Sequence, residues 1–457
     1  MKRTHVKLLF LLILTANAIG VSAQQDYLEE YLRIGLDSNL SLKQKQLDYS
    51  KNLAALNEAK GLFFPELSLN ARYTVAEGGR VIEFPVGDLL NPVYNTLNLL
   101  TASNSFPTVE NMEFNFYRPR EQETKLSVVQ PLFSPDLISN YRIRKDLADI
   151  SGCDIAVYKR ELIMAITTAY YELRKAQLLH QLADETLLLV GENVRVSRSL
   201  FGNDKVTSDV VYRSEAEYAK VETGLASVCG METSARAYFN FLLNRPLDAE
   251  VLFNDSLEML MPVTGLVELQ EKAVSGREEL QLLDYYKTLN AHKLNYERGG
   301  NLPGIYGVVN YGFQGETYSF TADDDFVLAS VVLQWNIFNG LANRNRIAQV
   351  KIDGEILDAR ISQSESMIRL QVLNAWSAMD AAWQKVESAK KQLVAARKSF
   401  NLVERKYREG ESSLLEYIDA RTNMTNAGTE IIIASTDFYI QKAAFERAAA
   451  SIELTNY

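Results

Sequence analysis

A heptad rhythm, kept for five repeats and written twice, limits what this chain can fold into more than any other feature. From Ile368 to Tyr407, apolar or small residues fall at 368, 372, 375, 379, 382, 386, 389, 393, 396, 400, 403 and 407, spaced alternately by four and three. The mean of 3.5 is the period of a left-handed coiled coil. The same spacing runs from Leu162 through Ile166, Ala169, Leu173, Ala176, His180 and Ala183 to Phe201, at a constant offset of 206 residues. Two such runs, free of Gly and Pro apart from the exposed-phase Gly191, make the chain a tandem duplication. Ala169, Ala176 and Ala183 match Ala375, Ala382 and Ala389, so each copy carries a small-residue layer that lets neighbouring helices approach closely.

The rhythm predicts two very long helices, Asp136 to Phe201 and Leu341 to Glu409, of 66 and 69 residues. At about 1.5 Å per residue each is about 100 Å long. Each reverses through a short polar turn, Gly202-Asn203-Asp204-Lys205 or Glu409-Gly410-Glu411-Ser412. Asn203 is matched here with Gly410, because both residue types tolerate the left-handed conformation that stops a helix. A shorter helix follows each turn, about Thr207 to Leu243 and Ser413 to Ile452, and another precedes each copy, about Tyr27 to Leu62 and Leu266 to Arg298. The boundaries expected are a first repeat over 24–245, a linker over 246–264 and a second repeat over 265–457.

Between its short and long helix each copy switches to period 2. Leu67, Leu69, Ala71, Tyr73 and Val75 share one face against Glu66, Ser68, Asn70, Arg72 and Thr74. Ile305 to Phe313, Glu123 to Phe133 and Phe326 to Phe338 alternate similarly, and Val327, Ala329, Val331, Leu333 and Trp335 share a face. Strands of this length and alternation fit tilted crossings of an outer membrane, although a half-buried soluble sheet alternates in the same way. Four strands cannot close a barrel with a lumen, and lipid forbids open edges, so a spanning chain must oligomerise. Residues 78–122, with Pro85, Pro92, Pro107 and Pro119, read as a long external loop or plug-like lid within the first hairpin.

Residues 1–23 have a basic start, an apolar run shorter than a spanning helix and a small-residue end at Val21-Ser22-Ala23, the pattern of a cleaved secretory signal. Removing it leaves 45 basic against 58 acidic residues, a net charge of -13, which makes nucleic acid a poor partner. Cys153 and Cys229 fall too far apart along the helices to bond within one chain. With His180 and His292 they assemble no zinc spacing, and no phosphate loop is present in the sequence. No cofactor and no catalysis are expected.

The segments "LFFPELSLNARY" and "GNLPGIYGVVNYGF" entering strands, "VVQPLFSPD" and "LQWNIFNG" leaving them, and "YREGESSLLEYIDART" at the second reversal occur in a duplicated order. In that order the chain resembles the TolC-like outer-membrane efflux proteins. The resemblance implies a mainly α fold with a transmembrane β-barrel portion: a homotrimer with four strands per chain in a 12-stranded barrel, on a helical tunnel crossing the periplasm. It implies an exit channel in the outer membrane that serves an inner-membrane transporter through a periplasmic adaptor, or membrane fusion protein.

Carried over by position, the acidic ring that narrows the periplasmic mouth corresponds to Glu416 and Asp419. The first-copy tip acid corresponds to Asp209 and its tyrosine partner to Tyr407, while the turns at Gly202, Asn203, Gly410 and Ser412 correspond to adaptor contacts. Ser412 stands where the family's archetype has a latch arginine. The residues alone also read as helix caps: Ser413-x-x-Glu416 is a capping box, and Asp209 lies in a first turn. The alternative of a different class is a periplasmic coiled-coil adaptor or scaffold without a channel, against which the duplicated helix-strand-strand-helix order argues.

Overall fold

The computed structural model describes residues 27–254, 261 and 265–451. The signal segment and part of the expected linker lie outside the described residues. In chain order the elements are α1 (Tyr27–Ser38), α2 (Leu40–Gly61), β1 (Glu66–Val75), β2 (Val81–Phe84), α3 (Val86–Thr101), β3 (Met112–Asn115), β4 (Arg120–Phe133), α4 (Pro135–Gly202) and α5 (Ser208–Leu242). They continue as α6 (Leu266–Gly276), α7 (Glu278–Gly299), β5 (Gly304–Gly315), β6 (Asp325–Gln334), α8 (Ala342–Glu409) and α9 (Leu414–Ala448). Equivalent helices have equal lengths: 68 residues in α4 and α8, 35 in α5 and α9, 22 in α2 and α7. The duplication heard in the heptads is therefore a duplication of structure.

The leading helix expected in each copy is two helices. The first breaks at Asn39, whose Oδ1 accepts the Leu42 amide at 3.0 Å while its Nδ2 donates to the Leu242 carbonyl at 2.9 Å. An asparagine that can cap a new helix and tie down the end of α5 outcompetes continuation of the old one. The second breaks at Arg277, an extended residue after Gly276.

The chain forms two compact units, each drawing on both repeats. One comprises the described residues of 1–51, 148–287 and 355–457 and is all helical; it holds three apolar clusters. The first is built on Leu42, Ile166, Tyr170, Leu173 and Phe239, and the second on Val372, Met379, Val386, Phe438 and Phe445. Ile166 and Val372, Leu173 and Met379, and Phe239 and Phe445 are equivalent at the 206 offset, so the heptad seam is buried in both copies. Tyr439 borders both clusters and stacks on Tyr171 with ring centroids 4.8 Å apart. Cys153 and Cys229 are both free thiols; burial pushes Cys153 up to about 11, leaving it a neutral packing residue.

The other unit, residues 52–147 and 288–354, holds a four-stranded antiparallel sheet in the order β1-β4-β5-β6. Gly312 lies opposite Lys125 across β4 and β5, and a Cβ there would come within 2.6 Å of the Lys125 side chain, so close pairing requires glycine. The face expected to be apolar is both apolar and open to solvent in the single chain: Leu67, Leu69 and Val75 on β1, and Val327, Val331 and Leu333 on β6, are all at least 60% exposed. Near the turn into β6 the loop folds back, and Tyr318 stacks on Tyr73 of β1 at 5.7 Å. Residues 78–122 are more than a loop: they contain the β2–β3 hairpin and the helix α3.

A buried ionic knot joins α7 to the long and terminal helices. Glu279 accepts from Arg277 at 2.8 Å and from Arg447, while Arg277 also donates to Gln371 at 2.5 Å. Burial pushes the Glu279 carboxyl up, but the two guanidiniums outweigh it and hold the group at about 2. A depressed carboxylate stabilises the fold fully above its ordinary value of 4.5, and that stabilisation is lost as pH falls toward about 2. After screening by the solvent this carboxylate still meets, the increment is about 2 kcal/mol. Thermal melts followed by circular dichroism in detergent check this: acidification from pH 7 to pH 3 should narrow the gap between the native chain and Glu279→Gln, which melts lower at pH 7.

Candidate functional site

Both hairpin tips end their long helix with the same device. At the first, the Lys205 amide donates to the Leu200 carbonyl at 2.9 Å and Asp204 to Phe201 at 3.0 Å; at the second, Glu411 donates to Lys406 at 2.8 Å and Gly410 to Tyr407 at 3.1 Å. This nested pair of bonds places the fifth residue in the left-handed region. Those residues are Asp204, with φ 58°, and Gly410, with φ 81°. The sequence match of Asn203 with Gly410 is thus displaced by one residue: aspartate tolerates the left-handed well, and Asn203 uses its amide to donate to the Ser199 carbonyl at 2.7 Å.

Beyond the second turn the capping box forms. The Glu416 amide donates to Ser413 Oγ at 3.3 Å, and the Ser413 amide donates back to the Glu416 carboxylate at 3.1 Å. Ser412 also donates its hydroxyl to that carboxylate. The Ser412 hydroxyl, followed by the Ser413 amide, lowers the Glu416 pKa. Asp419, one turn further on, accepts from Asn423 Nδ2 at 3.5 Å. On the first hairpin Asp209 accepts from the Thr207 hydroxyl and lies 3.8 Å from Arg213. Glu416 and Asp419 therefore share the first turns of α9, while Asp209 is engaged within its own helix start.

Tyr407 does not reach Asp209. Its ring is buried against Tyr417, with centroids 4.9 Å apart, and its hydroxyl meets Ser197 Oγ at 3.0 Å. Ser197 continues to Ser214 Oγ at 2.8 Å, and Asn193 Nδ2 donates to the same Ser214 oxygen at 3.4 Å. This relay joins α8 of the second hairpin to α4 and α5 of the first. Burial pushes the Tyr417 phenol up to about 12, so it remains neutral beside the relay. A second tie lies deeper: Arg421 on α9, its side chain 5% exposed, donates to Glu217 on α5 at 2.9 Å.

Ser197, Ser214, Glu217 and Arg421 escaped the sequence reading, although two of them left a signal. Ser197 occupies an apolar heptad position, and Arg421 falls in step with Leu414, Tyr417 and Met424 at spacings of three, four and three. A polar residue on a seam needs a partner. Beside Arg421 runs a groove of about 460 Å³ between α4, α5 and α9, lined by Leu182, Thr186, Leu225, Thr425 and Glu217.

Residues 289–451 match the family described as outer membrane efflux protein. No curated protein matches the chain. Among solved structures, the outer-membrane channel OprN is 17% identical with a TM-score of 0.74, covering 93% of this chain and 89% of its own. The CmeC outer membrane channel of Campylobacter jejuni is 14% identical with a TM-score of 0.75, covering 93% and 85%. The outer membrane protein VceC of Vibrio cholerae is 12% identical with a TM-score of 0.71, covering 92% and 95%. The resemblance to TolC-like outer-membrane efflux proteins holds in sequence over residues 289–451 and in fold over nearly the whole chain.

The tip geometry has a local consequence. Ser413→Ala removes an N-cap worth about 1 kcal/mol. Amide hydrogen exchange at Glu416 and Tyr417 should then speed up roughly fivefold, the factor that free energy corresponds to, with core amides of α9 unchanged. In the native chain the Ser413 amide, which donates to the Glu416 carboxylate, should lose protection as pH falls below the ordinary glutamate value, because the lowered Glu416 must be protonated to release it.

Proposed function

We propose that this protein is the outer-membrane exit channel of a tripartite efflux or type I secretion assembly, working as a homotrimer that conducts small molecules or polypeptide passively from an inner-membrane pump. One observation carries the reading: a four-stranded sheet with an exposed apolar face and two open edge strands, β1 and β6, in a chain with the fold of outer-membrane channels. Three such sheets, joined β1 to β6, complete a 12-stranded barrel whose apolar face meets lipid. The helical unit is periplasmic in this reading and needs no cofactor. A scaffold without a channel has no use for an apolar sheet face of this kind.

The hairpin tips form the periplasmic mouth in this reading. Glu416 and Asp419 supply a ring of carboxylates around the threefold axis, which attracts cations and repels anions. Capping and ring formation coexist for Glu416, since its cap leaves the carboxylate exposed. The tie from Tyr407 through Ser197 to Ser214 and the pair Arg421–Glu217 hold the second hairpin against the first, taking the place of the arginine latch that Ser412 cannot provide. The turns at Gly202, Asn203, Gly410 and Ser412 form the surface for a periplasmic adaptor.

The purified chain should migrate as a heat-modifiable trimer and form channels in planar bilayers; a monomer without conductance overturns the reading. Glu416→Gln combined with Asp419→Asn should weaken cation selectivity and relieve block by multivalent cations, and unchanged selectivity would return both residues to capping alone. Tyr407→Phe removes one neutral hydrogen bond per copy, about 1 kcal/mol each. It should raise the open fraction in single-channel recordings while leaving ion selectivity unaltered.

A further inference from the structure

The insertion between β1 and β4 is built to hold one helix face outward. On α3, Asn91 exchanges two hydrogen bonds with the backbone of Val109, donating to its carbonyl at 2.9 Å and accepting its amide at 2.8 Å. One heptad on, Asn98 makes the same pair with Phe106, at 2.8 and 3.0 Å. These side chains clamp the returning segment 103–111 along one side of the helix. Gly87 belongs to that side too, since a Cβ there would lie 2.3 Å from the Val109 carbonyl.

The opposite side has no cover among the described residues. Leu89, Val93, Thr96 and Leu100 stand at i, i+4, i+7 and i+11, and the three apolar ones are 66%, 52% and 77% exposed; the flanking Leu99 is 82% exposed. That spacing makes a narrow stripe of the kind one helix offers another. Charge argues against lipid as its partner. Residues 81–117 contain four acidic residues and no lysine or arginine, whereas helices that lie on membranes carry basic polar faces. Topology indicates what is near. The insertion hangs from β1, an edge strand, at the sheet end remote from Glu66 and Phe133 where the helices join. In the trimeric barrel, on which this inference rests, β1 borders the next copy.

We infer that the α3 helices of three copies pack against one another through the Leu89–Val93–Leu100 stripe, forming a lid across the external mouth of the channel. The full-length trimer in outer-membrane vesicles tests it. In a Cys229→Ser background, which removes the exposed native thiol, Leu100→Cys should give interchain disulfide dimers on mild oxidation. Thr108→Cys, on the clamped side, should not. Leu89→Asp with Leu100→Asp should raise single-channel conductance roughly twofold by separating the helices.

A heat-modifiable, conducting trimer without cross-linking at position 100 and without the conductance rise overturns the lid and leaves the channel standing. Quenching of a Leu99→Trp fluorophore by brominated lipid also overturns it, in favour of a membrane-lying helix. Absence of trimer and conductance overturns both readings.

Discussion

A hydrocarbon layer offers no partner to a backbone amide, and that constraint governs this chain. The sheet β1-β4-β5-β6 satisfies its inner strands but leaves one side of β1 and of β6 open, while Leu67, Leu69, Val327 and Val331 lie uncovered on its surface. In water such a sheet invites aggregation; in lipid the apolar face is at home but the edges are not. Edge-to-edge closure with further copies resolves both conditions together. The sheet thus makes sense as a portion of an assembly, and in the proposed trimer the helices of the same chain must accommodate its symmetry.

The long helices meet that demand with alternating side-chain size. Val372, Met379 and Val386 fill the second-copy seam, and Ala375 and Ala382 thin it between them. Large residues hold partners in register, and small ones permit the close approach a curved wall of helices requires. The cores of the two copies meet at Tyr171 and Tyr439, whose stacked rings bridge what are otherwise separate apolar clusters. Near the tips the copies diverge: Tyr407 is buried at 4% exposure, whereas its counterpart Phe201 is 47% exposed. The seam turns polar there, around Asn193 and Ser197, and the duplication ceases to be symmetric where function is proposed to lie.

What could be read from the sequence follows the range of the interaction that encodes it. Heptads and alternation are repeated many times, so the long helices, the four strands and the duplication were legible. Single-residue devices were less so. The helix break at Asn39 depends on a bond to Leu242, some two hundred residues away, and the left-handed stop fell on Asp204 because nested carbonyl bonds, not residue preference, fix which position takes that conformation. The fold of the insertion was hidden because its clamps are asparagines, which a turn-based reading takes for loop residues. At the tip, Glu416 and its capping box were legible from four consecutive letters, while the Tyr407–Ser197–Ser214 relay brings together three helices and has no local signature.

The chemistry of the relay separates two jobs that a charged latch would merge. Hydroxyl groups carry no net charge, so added salt, which screens exposed charges beyond about 8 Å at physiological ionic strength, leaves the Tyr407–Ser197–Ser214 bonds nearly untouched. The Arg421–Glu217 pair is charged, but with the arginine 5% exposed it too is sheltered from counterions. Glu416 and Asp419, by contrast, stand at the surface, where dissolved ions screen their field. In the proposed mouth, closure would rest on buried neutral and sheltered contacts and ion preference on exposed acids, so cations gathered by the proposed ring would not by themselves loosen the contacts between the hairpins.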